Sequence, residues 1–313
     1  MTTGGTYPEM KNSINYIKHC TALLMFGMNG IVASYIAMSS YEIVLMRTLF
    51  GSLLLIFIFI ISKQKIHLLD NKNHLLFLIL SGVSMGANWM FLYEAFSQIG
   101  VGIATLACYC GPVIIIMFSP FLFREKLTWQ KTAGFLSVLA GMVCINLQAL
   151  NGKGTIWGVF CGIMSAVTYA LLVIFNKKAT GIVGLEKSMW QLVFSFLTVA
   201  AFVMIKQGFS ITIELKSILP ILILGIINTG IGCYLYFSSI ANLPVQTVAI
   251  CGYLEPLSAV IFSALFLNES MRPVQIIGAV LILGGALFAE LSGMEKGYSK
   301  GNTYFSCQMK ARQ

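Results

Sequence analysis

Apolar residues in this 313-residue chain gather into long blocks separated by short polar stretches. Ten blocks are read, at roughly 18–38, 41–62, 74–96, 100–122, 129–149, 154–176, 187–206, 217–240, 244–267 and 273–293. Each is about 20 residues long, enough for a helix to cross a bilayer. Strands of a membrane barrel would instead alternate every second position over about ten residues. These blocks are apolar all round, so the pattern predicts membrane-spanning helices. The connections are short and leave no room for a soluble catalytic domain.

Composition supports this reading: 58% of residues are hydrophobic and 10% charged, against about 25% charged in a soluble globular domain. The expected fold is an all-α membrane protein with ten transmembrane helices. Lys11 and Lys18 precede the first block in the manner of a signal peptide. No small-residue cleavage site followed by a soluble chain is found, so the block is read as the first span.

The net charge is +9. A basic balance can point to nucleic acid, but here the positions of the charges decide. With the N-terminus inside, the inner segments hold Lys63, Lys65, Lys72, Arg124, Lys126, Lys131, Lys177, Lys178 and Lys187, among others, whereas the outer loops hold only Lys153, Lys206, Lys216 and Arg272. This is the positive-inside asymmetry, and it places both termini in the cytoplasm of a multi-pass plasma (inner) membrane protein. No nucleic-acid partner is needed. The eight cysteines include no CxxC pair and mostly fall within spans, so they read as small packing residues.

The chain also repeats itself. Residues 109–141, YCGPVIIIMFSPFLFREKLTWQKTAGFLSVLAG, align without a gap to residues 253–285, YLEPLSAVIFSALFLNESMRPVQIIGAVLILGG, at an offset of 144. Tyr109 matches Tyr253, Pro112 matches Pro256, Glu125 matches Glu269, Gly134 matches Gly278 and Gly141 matches Gly285; upstream, Gly86 matches Gly230. With the boundary at the NGKG loop, Asn151 to Gly154, the domains are 1–150, 151–293 and a cytoplasmic tail, 294–313. Five helices is an odd number, so the second half enters the membrane from the opposite side. Two inverted five-helix repeats are a frequent transporter design, because related halves can open to either side at similar cost.

Several segments resemble the drug/metabolite transporter superfamily, in its ten-helix EamA-like branch. They are LLMFGMNGIVASYI (Leu23–Ile36), VLMRTLFG around Arg47, the run from Tyr93 to Gly134, and EPLSAVIFSALFLNESMRPVQIIGAVLILGG (Glu255–Gly285). Phe26 stands where many relatives carry tryptophan. The resemblance implies a secondary transporter with a central cavity lined by the first, third and fourth helices of each half.

Candidate binding residues are the polar groups that a bilayer makes costly. Glu255 sits at mid-span, where a carboxylate costs roughly 2.5–3.5 kcal/mol on insertion scales. It reads either as a contact for a substrate cation or a proton-coupling group, or as a structural hydrogen-bonding partner. Pro256 frees a carbonyl one turn earlier and kinks the helix, which is tolerated where the backbone lines a cavity. The first-half counterpart of Glu255 is Gly111, so any role for the acid is asymmetric. Tyr109, Tyr253, Tyr169 and Tyr236 offer rings and hydroxyls. Ser84 and Asn88 share a helix face, as do Asn228 and Tyr236, and Asn29 is a further candidate; each reads as binding or as interhelical glue.

Other conspicuous residues are expected to be structural. Arg47 snorkels from a helix end. Glu94 is a boundary residue at the outer end of its span. Glu125 and Glu269 offset the dipoles of the helices that follow them. The paired glycines pack spans five and ten, within one chain or between the subunits of a homodimer.

No HExxH, GxSxG or Walker motif is present, and His19, His67 and His74 lie far apart, so no metal, cofactor or enzymatic activity is expected. The partners are a small-molecule substrate and the bilayer. The function read here is movement of an amino acid, amine or similar zwitterion or cation by alternating access, as an exporter coupled to a proton or other gradient. The alternatives are a membrane-embedded sensor or scaffold, or a lipid-modifying enzyme without transport.

Overall fold

The computed structural model describes residues 6–289 apart from 69, 71, 100–103, 105–106, 147–154, 209–212, 267–272 and 275. The NGKG loop, Glu269 and the tail from Ser292 lie outside the described residues.

Among the described residues the chain is helical and contains no strand. The elements are α1 (Thr6–Gly27), α2 (Asn29–Ser34), α3 (Ser40–Ile61), α4 (Lys72–Ile99), α5 (Gly111–Phe123), α6 (Trp129–Asn146), α7 (Ile156–Lys178), α8 (Gly184–Gln207), α9 (Leu215–Ile240), α10 (Val245–Cys251), α11 (Leu254–Phe266) and α12 (Ile276–Ala289). Five of these, α3, α4, α7, α8 and α9, are long and apolar enough to cross a membrane, and α5 and α12 are shorter apolar helices. The chain is therefore a multi-pass membrane protein.

Local chemistry accounts for several boundaries. Ser39 and Glu42 form a reciprocal cap at the start of α3: the Ser39 N–H donates to Glu42 Oε2 at 2.8 Å, and the Glu42 N–H donates to Ser39 Oγ at 3.4 Å. Thr155 caps α7 by accepting from the Gly158 N–H at 3.0 Å.

The block at 244–267 is two helices, not one. Pro256 has no N–H for the Gly252 carbonyl, which instead accepts the Glu255 N–H at 3.2 Å. The helix breaks at Gly252–Tyr253, so Glu255 stands in the first turn of α11. The first block also departs from expectation. It is helical from Thr6, well before residue 18, and is interrupted at Met28. A third irregularity was not legible: Ile223–Ile231, within α9, is π-helical. There the Thr229 hydroxyl donates to the carbonyl of Leu224, five residues back, at 2.7 Å. Widened turns of this kind are frequent at functional sites.

Repeat-related positions, 144 apart in sequence, make reciprocal contacts: Gly134 meets the partner of Gly141, and Gly141 meets the partner of Gly134. A Cβ added at Gly134 would lie 2.5 Å from the Gly285 carbonyl oxygen, and one at Gly141 would lie 2.6 Å from the Gly278 oxygen. Ser137 Oγ donates to Leu281 O at 3.0 Å between the same two helices. The glycine faces of α6 and α12 are thus engaged with one another inside one chain.

The pattern extends to other helix pairs. Gly86 packs on Ser195 and Thr198, while Gly230 packs on their repeat partners Gly51 and Leu54. Arg47 Nε donates to Thr229 Oγ1 at 3.0 Å, and the partner positions repeat the approach, with Gln191 Nε2 placed 3.9 Å from Met85 Sδ. The packing of α3 on α9 is therefore mirrored by that of α8 on α4.

Candidate functional site

The break between α10 and α11 brings Glu255 into the interior of the bundle. Its carboxylate lies within electrostatic reach of Arg47 on α3, Tyr169 on α7, Cys233 and Tyr236 on α9, and Tyr109 and Cys108 ahead of α5. Among the described residues it makes no side-chain hydrogen bond and no ion pair, yet Glu255 keeps accessible surface. A structural carboxylate at this depth would be tied to a donor on a neighbouring helix. This one is half-buried and lies near tyrosines of α7 and α9.

The four tyrosines form two pairs. Tyr169 and Tyr236 place their hydroxyls 3.3 Å apart. Tyr253, fully buried, donates its hydroxyl to the Tyr109 carbonyl at 2.8 Å, with the two rings 5.8 Å apart. Tyr109 and Tyr253 are repeat partners, so the seam between the halves passes between them. The absence of an acid at Gly111 has a packing cause. A Cβ there would lie 2.8 Å from Tyr169 Cδ1 and 3.0 Å from the Ala166 carbonyl oxygen. One half spends this position on the tyrosine, and the other uses it for a carboxylate.

The asparagines divide. Asn228, in the π-helical segment, donates to Asn29 Oδ1 at 3.1 Å. Asn88 donates to the Ser165 carbonyl at 2.7 Å, and Ser84 turns back onto Leu80 O at 2.7 Å. These two spend their donors on backbone and act between and along helices. Asn88 still reaches Cys108 Sγ at 3.8 Å. Phe26 packs against Gly232, where a Cβ would come within 2.8 Å of its ring, and lies 5.9 Å from the ring of Tyr236.

Arg47 differs from expectation. It does not snorkel to water but is 3% exposed, with its guanidinium 4.4 Å over the ring of Trp89 and its Nε bonded to Thr229. The residue was visible in the sequence, but its partner was not, because Thr229 reaches Arg47 from a π-helical turn.

Glu125 also serves a different helix from the expected one. It caps α10, not α6: Oε1 accepts the Val245 N–H at 2.7 Å and Oε2 the Gln246 N–H at 3.2 Å. Near it, Lys177 Nζ donates to the Leu243 carbonyl. At the other end of the bundle Glu94 pairs with Lys206 at 3.2 Å and accepts from Trp157 Nε1. Lys187 is 1% exposed and donates to the Asn176 carbonyl at 2.6 Å. Among the described residues no group of His, Cys, Asp and Glu is placed to hold a metal ion.

Residues 14–147 and 156–291 each match the model of the EamA-like transporter family. An uncharacterized transporter of Bacillus subtilis (strain 168), YxxF, is 25% identical over 288 residues, covering 88% of this chain and 89% of its own. A probable amino-acid metabolite efflux pump of Escherichia coli (strain K12) is 25% identical over 220 residues, covering 66% of this chain and 73% of its own. A solved crystal structure superposes with a TM-score of 0.77 at 21% identity, covering 89% of this chain and 98% of that one, and shows the fold alone.

Proposed function

Given that the chain belongs to the EamA-like transporter family, we propose that it is a secondary transporter moving a small organic metabolite by alternating access. The substrate class is an amino acid, amine or similar zwitterion or cation, exported at the expense of a proton or other gradient. The observation that carries this reading is the Glu255 carboxylate, half-buried beside a helix break and without a side-chain hydrogen-bonding partner among the described residues. A bundle that needed this acid only for packing would satisfy it, whereas a transport site must leave it available to cargo or proton. The printed name of the Escherichia coli relative, an amino-acid metabolite efflux pump, supports the substrate class.

Ten spans in two inverted repeats, 1–150 and 151–293, complete the proposal. The reciprocal contacts at an offset of 144 support it, since a two-fold axis in the membrane plane pairs related positions in this way. Both termini are cytoplasmic and the membrane is the plasma (inner) membrane. The Lys and Arg positions in the inner segments, Lys177, Lys178 and Lys187 among them, support this orientation. The chain is not an enzyme, and its partners are substrate and lipid. Glu255, Tyr253, Tyr109, Tyr169, Tyr236, Asn29 and Asn228 line the site, with Ser84 and Asn88 behind them.

The test is flux into proteoliposomes under an imposed proton gradient. Wild type accumulates substrate in response to the gradient. Glu255→Gln folds and loses that response. An unchanged response in the variant defeats the role given to Glu255.

A further inference from the structure

A cavity of about 450 Å³ lies where three parts of the chain converge. Its walls are Glu125 and Lys126 between α5 and α6, Lys131 on α6, Lys177 in the last turn of α7, and the turn Ala241–Pro244 between α9 and α10. None of these residues belongs to the region around Glu255. We propose that this cavity binds a phosphate group, carried on an anionic lipid headgroup or free in solution, between Lys126, Lys131 and Lys177.

The volume falls in the range of about 300–1,000 Å³ usual for small-ligand pockets. Three ammonium groups and one carboxylate line it. The carboxylate is already committed: Glu125 Oε1 accepts the Val245 N–H at 2.7 Å, and Oε2 accepts the Gln246 N–H at 3.2 Å. Lys177 donates to the Leu243 carbonyl, which occupies one of its three N–H groups. Among the described residues none of the three lysines is in an ion pair. Lys126 is exposed, but Lys131 and Lys177 are half-buried, so water screens them only in part. Like charges around one space repel, and an anion placed between them turns that cost into attraction. Lysine binds phosphate as a point charge and needs no planar fork.

Neighbouring side chains place the cavity at the depth of lipid phosphates. Trp129 opens α6 two residues before Lys131; it is 70% exposed and meets Phe288 edge-on at 6.3 Å. Phe121, near the end of α5, is also exposed. Exposed aromatic residues at helix ends mark the boundary between membrane and water. Basic pockets between helices at the cytoplasmic boundary suit anionic headgroups, and the proposed orientation puts all three walls on that side.

The repeat separates binding from architecture. At the offset of 144 Glu125 is matched by Glu269, but Lys126, Lys131 and Lys177 are matched by Ser270, Gln275 and Ala33. The acid recurs in both halves, and the three cations occur in one set of positions only. Membrane orientation requires basic residues in the inner segments, but it does not require three of them to face one cavity.

The experiment follows thermal unfolding of the full-length protein in maltoside micelles, which carry no phosphate. The probes are phosphatidylglycerol, glycerol phosphate, and oleate as an anionic amphiphile without phosphate. Phosphatidylglycerol is expected to raise the unfolding midpoint of the wild type, and oleate at equal content to raise it less. In Lys126→Gln/Lys131→Gln the half-saturating lipid content should rise about twentyfold, from about fivefold for each lysine beside an anionic surface. Lys126→Gln alone changes an exposed residue and should give about fivefold, so the test does not depend on folding of the double variant. Lys65→Gln/Lys72→Gln removes two exposed charges outside the cavity and should leave the response unchanged. Stabilisation by glycerol phosphate as well as by the lipid supports a site open to free phosphates, and stabilisation by the lipid alone supports a headgroup site. No stabilisation by either phosphate probe overturns the proposal. So does an equal effect of oleate, an unchanged response in both cavity variants, or an equal loss in the Lys65 and Lys72 control.

Discussion

The contact between α6 and α12 makes a prediction that depends on backbone geometry alone. Gly134→Ala adds one methyl group. Its Cβ would sit 2.5 Å from the Gly285 carbonyl oxygen and 2.8 Å from Ala289 Cβ, where ordinary contact begins at 3.4 Å. The shortfall against the oxygen is about 0.9 Å, and it cannot be relieved by turning a side chain, because the obstacle is backbone. The two helices must part along their length. Overpacking of this kind costs about 1–3 kcal/mol, and the full backbone obstruction puts this site near 3. Alanine returns about 1 kcal/mol of helix propensity over glycine, leaving a net loss of about 2 kcal/mol.

Gly284 is the internal control. It lies beside the close contact, on the same helix as Gly285, but a Cβ there meets nothing within 4 Å. Gly284→Ala should be neutral or gain up to about 1 kcal/mol. Reversible unfolding in mixed micelles, followed by near-ultraviolet circular dichroism, measures both variants. Equal stability of the two, or a more stable Gly134→Ala, would refute the close packing of α6 on α12.

Two further substitutions test particular hydrogen bonds. Glu125→Gln keeps one acceptor oxygen of the two that hold the start of α10, and should cost about 1–2 kcal/mol in the same unfolding assay, given about 1.5–3 kcal/mol for a hydrogen bond to a charged group; no loss would mean that the cap contributes nothing. Tyr253→Phe preserves the ring against Tyr109 but removes the hydroxyl that serves the Tyr109 carbonyl, so about 1 kcal/mol is expected, and an unchanged midpoint would show that water replaces the bond.

Much of the architecture was legible because it depends on length and spacing. The apolar blocks at 41–62, 74–96, 154–176, 187–206 and 217–240 became α3, α4, α7, α8 and α9 within a few residues, since nothing but a helix hides that much backbone in lipid. The disturbance at Pro256 followed from a missing N–H, and the structure sharpens the expected kink into a break. The glycine pairs of α6 and α12 were legible through the repeat.

What escaped were arrangements that require knowledge of which helix comes next to which. Glu125 obeys the rule that acids favour helix N-termini, but it serves α10 across the bundle, not the helix that follows it. Distance from a helix end predicts snorkelling for Arg47, and that criterion takes no account of Thr229 and Trp89 on neighbouring helices. The π-helical turn at Ile223–Ile231 changes the register of α9, so the side chains that α9 offers to α3 and α1 do not follow from a regular period. Ser84 and Asn88 satisfied the sequence criterion of two polar residues on one face, yet backbone carbonyls take their donors.

The central claim is that the chain carries a small organic solute across the membrane through the region around Glu255. The most direct test is uptake of labelled amino acids by liposomes containing the purified protein, driven by a proton gradient, with Glu255→Gln liposomes alongside. The account predicts saturable uptake above protein-free liposomes in the wild type, and loss of the gradient response in the variant. Uptake no greater than in protein-free liposomes, by a folded protein and across the full set of amino acids and their amines, would contradict it.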